Sequence, residues 1–178
     1  MIRLFTAIEI PEAVRTRFSF LQGGVPGARW SPVENLHLTL RFIGEVDERV
    51  AGDIDDMLNA LEAPAFALTL KGAGEFGGRD PHALWIGVAP NEALMRLAAK
   101  IESALQRMGL AAETRKYAPH VTLARLRDAP IAKVRAFLAA HAFFDSGPFP
   151  VRAFALFSSY PSSNGSLYRQ ERTYALDT

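Results

Sequence analysis

The sequence contains no cysteine. Disulfide bonds, thiolate nucleophiles and cysteine-ligated metal centres are therefore excluded. It also lacks any apolar run near the roughly eighteen residues that a membrane-spanning helix needs. Residues 1–10 are interrupted by Glu9 and offer no small-residue cleavage site, so they predict a first strand and not a signal peptide. We expect a cytoplasmic protein that does not bind a membrane.

A large excess of charge of either sign is also missing. The formal net charge is +1, with 49% hydrophobic and 22% charged residues, which is typical of a globular chain and argues against a general polyanion-binding protein. The distribution of charge is uneven. The charged residues of segment 107–135 are mostly basic, and Glu113 and Asp128 are the only acidic ones. Such a segment suits an anionic substrate.

Histidine is scarce, yet two of the 4 histidines open the same tetrapeptide pattern. Residues 37–40 read His-Leu-Thr-Leu and residues 120–123 read His-Val-Thr-Leu. Chance predicts about 0.02 copies of His-x-Thr-Leu in a chain of this composition. The repeat therefore indicates a paired function for two imidazoles, each with a hydroxyl two residues further on.

Both tetrapeptides lie in short apolar segments, residues 36–43 and 120–126, which predict strands. Side chains of a strand alternate between its faces, so each motif places its histidine and threonine on one face and its two aliphatic side chains on the other. If the two strands come together, all four polar side chains converge on one pocket. The alternative is a pair of buried, hydrogen-bonded structural histidines, which the duplication disfavours.

The duplication extends beyond these motifs, since Ala-Phe-Ala-Leu also occurs twice, at residues 65–68 and 153–156. Strands alternating with helices in two related halves predict an α+β or α/β chain. We expect the α+β class: one domain over residues 1–178, with two pseudo-symmetric lobes whose antiparallel sheets and flanking helices share a central cleft. Periodicity and turn residues predict helices over residues 12–21, 47–61, 91–108 and 131–140, strands over residues 36–43, 65–68, 83–88, 120–126, 153–156 and 168–176, a glycine-rich loop over residues 72–78 and a turn over residues 158–166.

Residues 30–44 (WSPVENLHLTLRFIG) and 117–125 (YAPHVTLAR) closely resemble the two-histidine phosphoesterase superfamily, and within it the RNA 2′,3′-cyclic phosphodiesterases, also called 2′-5′ RNA ligases. The resemblance extends over nearly the whole chain. It implies a bilobal fold, metal-free opening of a terminal 2′,3′-cyclic phosphate to a 2′-phosphate, and weak reversible ligation of tRNA halves. It also implies that His37 is the proton donor and His120 the proton acceptor, although the motifs themselves are too symmetric to order these roles.

The residue types agree with that chemistry. Hydrolysis of a cyclic phosphodiester needs a base for water, an acid for the leaving ribose oxygen, and donors for the non-bridging oxygens. Histidine suits both proton-transfer roles because its unperturbed pKa lets one imidazole be neutral and another protonated near pH 7. Thr39 and Thr122 are the nearest hydroxyl donors, and no metal or other cofactor is expected.

Four further residues are candidates for substrate binding: Arg125, Phe42, Arg41 and Tyr168. The family pattern implies an arginine on phosphate and an aromatic ring against ribose or base at Arg125 and Phe42. Both follow their motif histidine by five residues, so regular alternation places them on the wrong face unless a bulge or twist intervenes. Arg41 has the right alternation but no counterpart in the second half, and Tyr168 follows the predicted turn.

The remaining histidines and both tryptophans are not expected to take part in the chemistry. His82 and His141 lack the following threonine. Trp30 and Trp85 are expected in the core and not as platforms for a base.

Two other classes of protein compete with this interpretation. A metal hydrolase would need ligands near each histidine, and Asp53, Asp55 and Asp56 lie on a helix at offsets that do not converge. A non-catalytic RNA-binding module would leave the two His-Thr pairs unexplained. The expected partner is RNA with a 2′,3′-cyclic phosphate end or a small cyclic nucleotide such as ADP-ribose 1″,2″-cyclic phosphate, bound by a monomer; the sequence does not distinguish these substrates.

Overall fold

The computed structural model describes residues 1–163 and 165–178, and it confirms the α+β class. A 3₁₀ turn over Val33–Asn35 leads into the first motif strand. Within the described residues the elements are β1 (Ile2–Glu9), α1 (Glu12–Ser19), β2 (Ala28–Trp30), β3 (His37–Val46), α2 (Glu48–Ala60), β4 (Phe66–Phe76), β5 (Ala83–Val88), α3 (Glu92–Arg107), β6 (His120–Leu126), α4 (Ile131–His141), β7 (Asp145–Val151), β8 (Ala153–Ser162) and β9 (Gly165–Ala175).

The strands form two antiparallel sheets, in the orders β3-β1-β8-β9 and β2-β6-β5-β4-β7. Each sheet takes strands from both halves of the chain, because β8 and β9 join β1 and β3, whereas β4 joins β5 and β6. The two strands that carry Ala-Phe-Ala-Leu are thus exchanged between the sheets. The motif strands β3 and β6 belong to different sheets and pack against each other without pairing.

The four predicted helices all form, with ends within two residues of the predicted positions. Side-chain caps explain two of their starts: Asp47 accepts a hydrogen bond from the Val50 amide at 2.8 Å, and Asn91 accepts one from the Leu94 amide at 2.9 Å. Helices α2 and α3 bury their apolar faces in the common core. None of the helices in the described part of the chain is long and apolar enough to cross a membrane.

Alternation along the two motif strands is as predicted. Leu38 and Leu40 of β3 are buried, as are Val121 and Leu123 of β6. The histidine and threonine of each motif lie on the other face and line a common cleft. Burial of the four aliphatic side chains therefore holds the polar face of each motif toward the cleft.

The predicted glycine-rich loop over residues 72–78 is wrong for most of its length. Strand β4 continues to Phe76, with a register shift between Leu70 and Ala73. Gly74 lies within this strand, and the Trp85 ring packs directly over it. A larger residue would not fit there, because an added Cβ would come within 2.2 Å of the indole. The glycine there serves close packing, which composition alone does not separate from a loop.

The predicted turn over residues 158–166 is also too long. Strand β8 extends to Ser162 and β9 begins at Gly165, with Pro161 opposite Ser166 in the pairing register. Backbone pairing with β9 overrides the turn preference of the serine and proline residues. Asn164, which the predicted turn included, lies outside the described residues.

An ion pair ties α3 to β3. The Arg41 side chain donates from Nε to Glu102 and from Nη2 to the Ala111 carbonyl, the latter at 2.8 Å. Glu102 also accepts from the Glu113 amide and from Gln106, each at 2.8 Å. The hydrogen bond from Arg41, helped by these two donors, lowers the pKa of Glu102 to about 2.

We expect Glu102→Gln to lower the free energy of unfolding at pH 7 by about 1.5 kcal/mol, the low end for hydrogen bonds to a charged group. Because the pKa of Glu102 falls from 4.5 to about 2 on folding, its stabilisation is present above pH 4.5 and is lost as the pH drops toward 2. Urea denaturation should therefore show the deficit of the variant shrinking over that range.

Glu92→Gln is the matched control, since Glu92 lies on the same helix in an exposed pair with Arg96. The control should change stability little at any pH. Equal effects of the two substitutions would contradict a special role for Glu102.

Candidate active site

His37, the first residue of β3, is held by its backbone and by aromatic rings. Its Nδ1 lies 2.6 Å from the Asn35 carbonyl oxygen. The imidazole stacks on Phe5 with ring centroids 4.9 Å apart, and Tyr168 stands edge-on to it at 5.2 Å. Phe157 extends the stack behind Phe5. Two rings that come from β8 and β9 thus help to orient a histidine of the first half.

Burial among these rings lowers the pKa of His37 to about 4. The hydrogen bond to Asn35 opposes this effect, and the charge of His120 adds to it. His37 is therefore neutral near pH 7.

His120, the first residue of β6, repeats the same backbone arrangement. Its Nδ1 lies 2.6 Å from the Ala118 carbonyl oxygen. Phe76 stands edge-on to the imidazole with centroids 4.9 Å apart, and Trp85 lies 6.2 Å away. A carbonyl oxygen can only accept, so Nδ1 carries the hydrogen in both motif histidines, and Nε2 is the nitrogen left to exchange protons.

The two threonines line the cleft beside their histidines. The Tyr117 hydroxyl donates to the Thr39 carbonyl at 2.8 Å, which links the segment before β6 to β3. Burial raises the pKa of Tyr117 well above its usual range, so this hydroxyl stays a neutral donor. The bond fixes one motif relative to the other.

A β-bulge follows each threonine at the same place in its motif. In β3, Arg41 pairs with Thr6 and Thr39 with Ala7, which leaves Leu40 as an extra residue. In β6, Ala124 pairs with Leu84 and Thr122 with Trp85, which leaves Leu123 as the extra residue. These two leucines are at equivalent positions of the repeat, three residues after the histidine.

The bulge in β6 reverses the alternation beyond it. Ala124 and Leu126 are buried, whereas Arg125 is exposed and lines the cleft. Phe42 also lines the cleft, with its ring 5.7 Å from Phe5. The structure therefore contains the bulge that both residues required in order to reach the histidine face.

Arg41 and Tyr168 also line the cleft, but in different ways. The Arg41 guanidinium is engaged with Glu102 and with the carbonyls of Phe42 and Ala111. Tyr168 contacts Phe5 and His37 through its ring. Its polar end is the part left for a ligand.

The cleft has a volume of about 1060 Å³ and is lined by residues of both sheets. Its charged lining is mainly basic, and its two carboxylates, Glu102 and Glu113, already accept hydrogen bonds from arginines. The basic lining residues are Arg29, Arg41, Arg115, Lys116 and Arg125. An anion entering this cleft therefore meets a positive field.

Two histidines and two tryptophans were not expected to take part in the chemistry, and the structure places some of them in the cleft and others away from it. His82 is exposed but lines the cleft, 6.3 Å from Phe76, which the absence of a following threonine did not indicate. His141 packs on Phe137 at 4.6 Å and is not among the cleft residues. Trp30 is partly buried against the core and also faces the cleft, and Trp85 packs on Phe76.

Sequence patterns missed the residues that hold the histidines. Asn35 binds His37 through its carbonyl and donates from Nδ2 to the Ser166 carbonyl at 3.1 Å. Phe5, Phe76 and Tyr117 come from other segments of the chain, so no local spacing relates them to a histidine. The only sequence signal was the equal distance of Asn35 and Ala118, two residues before each motif histidine.

Among the described residues, no group of three or more histidine, aspartate or glutamate side chains is placed to hold a metal ion. The chemical groups that the cleft does offer are two imidazoles, two hydroxyls and several guanidinium groups. This set can move protons and bind a phosphate.

Comparisons with known proteins agree with this site. An RNA 2′,3′-cyclic phosphodiesterase of Aeropyrum pernix is 40% identical over 65% of this chain and 66% of its own, which is just under two thirds of that relative. One of Thermus thermophilus is 33% identical over 98% of this chain and 90% of its own. The crystal structure of Escherichia coli LigT complexed with 3′-AMP superposes with a TM-score of 0.81 and 29% identity over 99% of both chains.

The family model described as the 2′-5′ RNA ligase superfamily matches residues 11–160. That match spans both His-x-Thr motifs, the two bulged strands and the helices between them. The resemblance seen in the sequence is confirmed, and the chain belongs to the 2′-5′ RNA ligase superfamily.

Proposed function

We propose that this protein is an RNA 2′,3′-cyclic phosphodiesterase. It hydrolyses 2′,3′-cyclic phosphate ends of RNA to 2′-phosphates without a metal, and it catalyses a weak, reversible 2′-5′ ligation of RNA. The observation that carries the proposal is the pair of motif histidines, each with Nδ1 on a carbonyl and Nε2 left free, in one basic cleft. The names of the relatives, RNA 2′,3′-cyclic phosphodiesterase, support the same activity.

In the proposed reaction His120 takes a proton from water as the water oxygen bonds to phosphorus. The bond between phosphorus and the ribose 3′ oxygen breaks, and His37 gives its proton to that oxygen. One water is consumed, His120 ends protonated and His37 deprotonated, and the return of one proton through solvent from His120 to His37 restores the starting state. Thr39, Thr122 and Arg125 donate to the non-bridging oxygens, whose charge grows in the transition state.

The lowered pKa of His37 places a condition on these roles. A proton donor must be protonated when the substrate is bound, yet the lowered pKa of His37 leaves the imidazole neutral near pH 7. The negative charge of a bound phosphate raises the pKa of a neighbouring imidazole and supplies the missing stabilisation. Its role as donor thus depends on the phosphate that it serves.

Two alternatives remain as outcomes of the experiments below. A small cyclic nucleotide such as ADP-ribose 1″,2″-cyclic phosphate presents the same reacting group. A non-catalytic RNA-binding module gives no reason for two histidines with the same Nδ1 bond. We further propose that residues 1–178 form one domain of two related lobes, and that the protein acts as a monomer in the cytoplasm.

Replacement of either motif histidine tests the acid–base pair. His37→Ala and His120→Ala should each lower kcat for adenosine 2′,3′-cyclic phosphate by about 10²–10⁴-fold, the usual worth of a positioned acid or base. The assay is run in excess EDTA, where the parent should keep its activity.

His141→Ala is the matched control, because His141 packs on Phe137 away from the cleft. It should keep the parent rate. A motif variant that retained a tenth of the parent rate would contradict the two-histidine mechanism, and loss of parent activity in EDTA would favour a metal hydrolase.

The pH dependence reports the buried histidine. Protonation of both imidazoles removes the base, so kcat/KM should fall below about pH 4, where the pKa of His37 lies. Tyr168→Ala opens one side of the His37 ring to water and should move this acid limb upward, toward the ordinary value of 6.5.

Tyr160→Ala provides the control for this substitution, since Tyr160 is an exposed tyrosine of β8 that does not line the cleft. Its acid limb should match that of the parent. An acid limb near pH 6.5 in the parent itself would show that burial does not control His37.

The position of the product phosphate tests the orientation of the substrate. If His37 protonates the 3′ oxygen, hydrolysis of a cyclic-phosphate-ended dinucleotide gives only the 2′-phosphate, as ³¹P NMR would show. Arg125→Ala should raise KM and lower kcat without moving the limbs of the pH profile. A 3′-phosphate product would reverse the assignment of acid and base and leave the pair intact.

A further inference from the structure

Arg29 forms an unusual pair with Arg125 at the edge of the second sheet. The two residues are direct partners in the antiparallel pairing of β2 with β6. Both are exposed, and both line the cleft. Like charges in directly opposed positions destabilise a strand pair, so this arrangement carries a cost that folding alone does not explain.

Within the described part of the chain, neither arginine of this pair forms an ion pair. The two carboxylates of the cleft do not relieve them, because Glu102 is bound to Arg41 and Glu113 to Arg115. The pair is therefore a concentration of positive charge that faces the cavity without a protein anion to neutralise it. A guanidinium is suited to phosphate because its planar set of N–H donors matches the phosphate oxygens.

Arg29 lies on the edge strand of the second sheet, beside Arg125. Arg125 lies on the motif strand itself, five residues beyond His120, whereas Arg29 lies one strand further out. The Arg29 guanidinium reaches toward the opposite sheet, where an added Cβ at Gly165 of β9 would be 3.7 Å from its Nη2. Arg29 thus lies on the outer side of Arg125, between β2 and β9.

The size of the cleft agrees with a ligand longer than one cyclic nucleotide. Its volume of about 1060 Å³ lies at the upper end of the range for small-molecule sites. A nucleotide at an RNA end carries two phosphates, the terminal one and the one that joins its 5′ oxygen to the preceding residue. The cleft likewise presents two neighbouring cationic residues, Arg29 and Arg125, so that each of the two phosphates has one guanidinium to contact.

We propose that Arg29, next to Arg125, is a subsite for the phosphate on the 5′ side of the terminal nucleotide. In RNA this group is the last internucleotide phosphodiester, so the subsite selects oligonucleotide ends over cyclic mononucleotides. The inference rests on the proposed function for its choice of ligand, but it is tested by binding, which does not require turnover.

The test compares the dissociation constants of three ligands by titration calorimetry: adenosine 2′-phosphate, adenosine 2′,5′-bisphosphate, and the adenylyl dinucleotide ending in a 2′-phosphate. The parent should bind the dinucleotide about tenfold or more tightly than adenosine 2′-phosphate, the gain of one charge-assisted hydrogen bond. In Arg29→Gln this ratio should fall close to one, and in Arg29→Lys it should be intermediate.

Arg127→Gln is the matched control. Arg127 is exposed, follows the end of β6, and is not among the residues that line the cleft. The control removes the same charge and should leave the binding ratio unchanged. Arg29→Gln should also lower the slope of log affinity against log salt for the dinucleotide by about 0.7, as loss of one contact to a single-stranded phosphate requires.

Each outcome decides the proposal. An unchanged ratio in Arg29→Gln, or a parent that does not prefer the dinucleotide, would overturn the subsite. A gain for the bisphosphate but not for the dinucleotide would assign the site to small nucleotides with a free 5′-phosphate and overturn the RNA assignment. Absence of hydrolysis with the binding ratios as expected would sink the proposed enzymatic function and leave the subsite in place.

A structural role for Arg29 predicts a different result. Loss of a structural side chain would lower the melting temperature and weaken all three ligands alike. Removal of one of two opposed like charges should instead leave the melting temperature unchanged or raise it.

Discussion

The exchange of strands between the two sheets is the constraint on which the rest of the molecule depends. Strand β8 pairs with β1, and β5 pairs with β6, so neither half of the chain completes a sheet by itself. Each motif strand is thus anchored in a sheet that contains strands of both halves, and the two motif strands pack against each other across the sheets. The Tyr117 hydroxyl on the Thr39 carbonyl adds a direct link between the motifs.

Two identical bulges then convert paired strands into a binding surface. A regular strand would place Phe42 and Arg125 with the buried leucines, where a guanidinium carries a large desolvation cost. In β6 the extra residue after the threonine turns the rest of the strand over, so that one face presents the imidazole, the hydroxyl and then the guanidinium. In β3 both Arg41 and Phe42 line the cleft beyond the extra residue. The repeat of this defect at equivalent positions indicates that it belongs to the duplicated unit itself.

The two copies of the motif differ in what surrounds them, and this difference breaks the symmetry of the chemistry. His37 is enclosed by Phe5, Phe157 and Tyr168, which lowers its pKa, whereas His120 meets Phe76 and Trp85. The two histidines thus have the same backbone contact but different ring environments. The basic lining of the cleft favours a ligand whose charge sits between the histidines.

The sequence by itself determined the class of fold, the helices and the polar face of each motif, because these follow from local periodicity: His37 with Thr39 and His120 with Thr122 emerge from alternation alone. It also indicated that Arg125 and Phe42 needed a bulge. Only the tertiary structure decided where that bulge falls, which sheet each strand joins, and which rings surround His37. Gly74 and His82 show the reason, since the role of each is set by Trp85 or Phe76, partners from elsewhere in the sheet. Local sequence patterns do not predict such tertiary contacts. The pKa of His37 depends on them, because burial among rings from other strands lowers it.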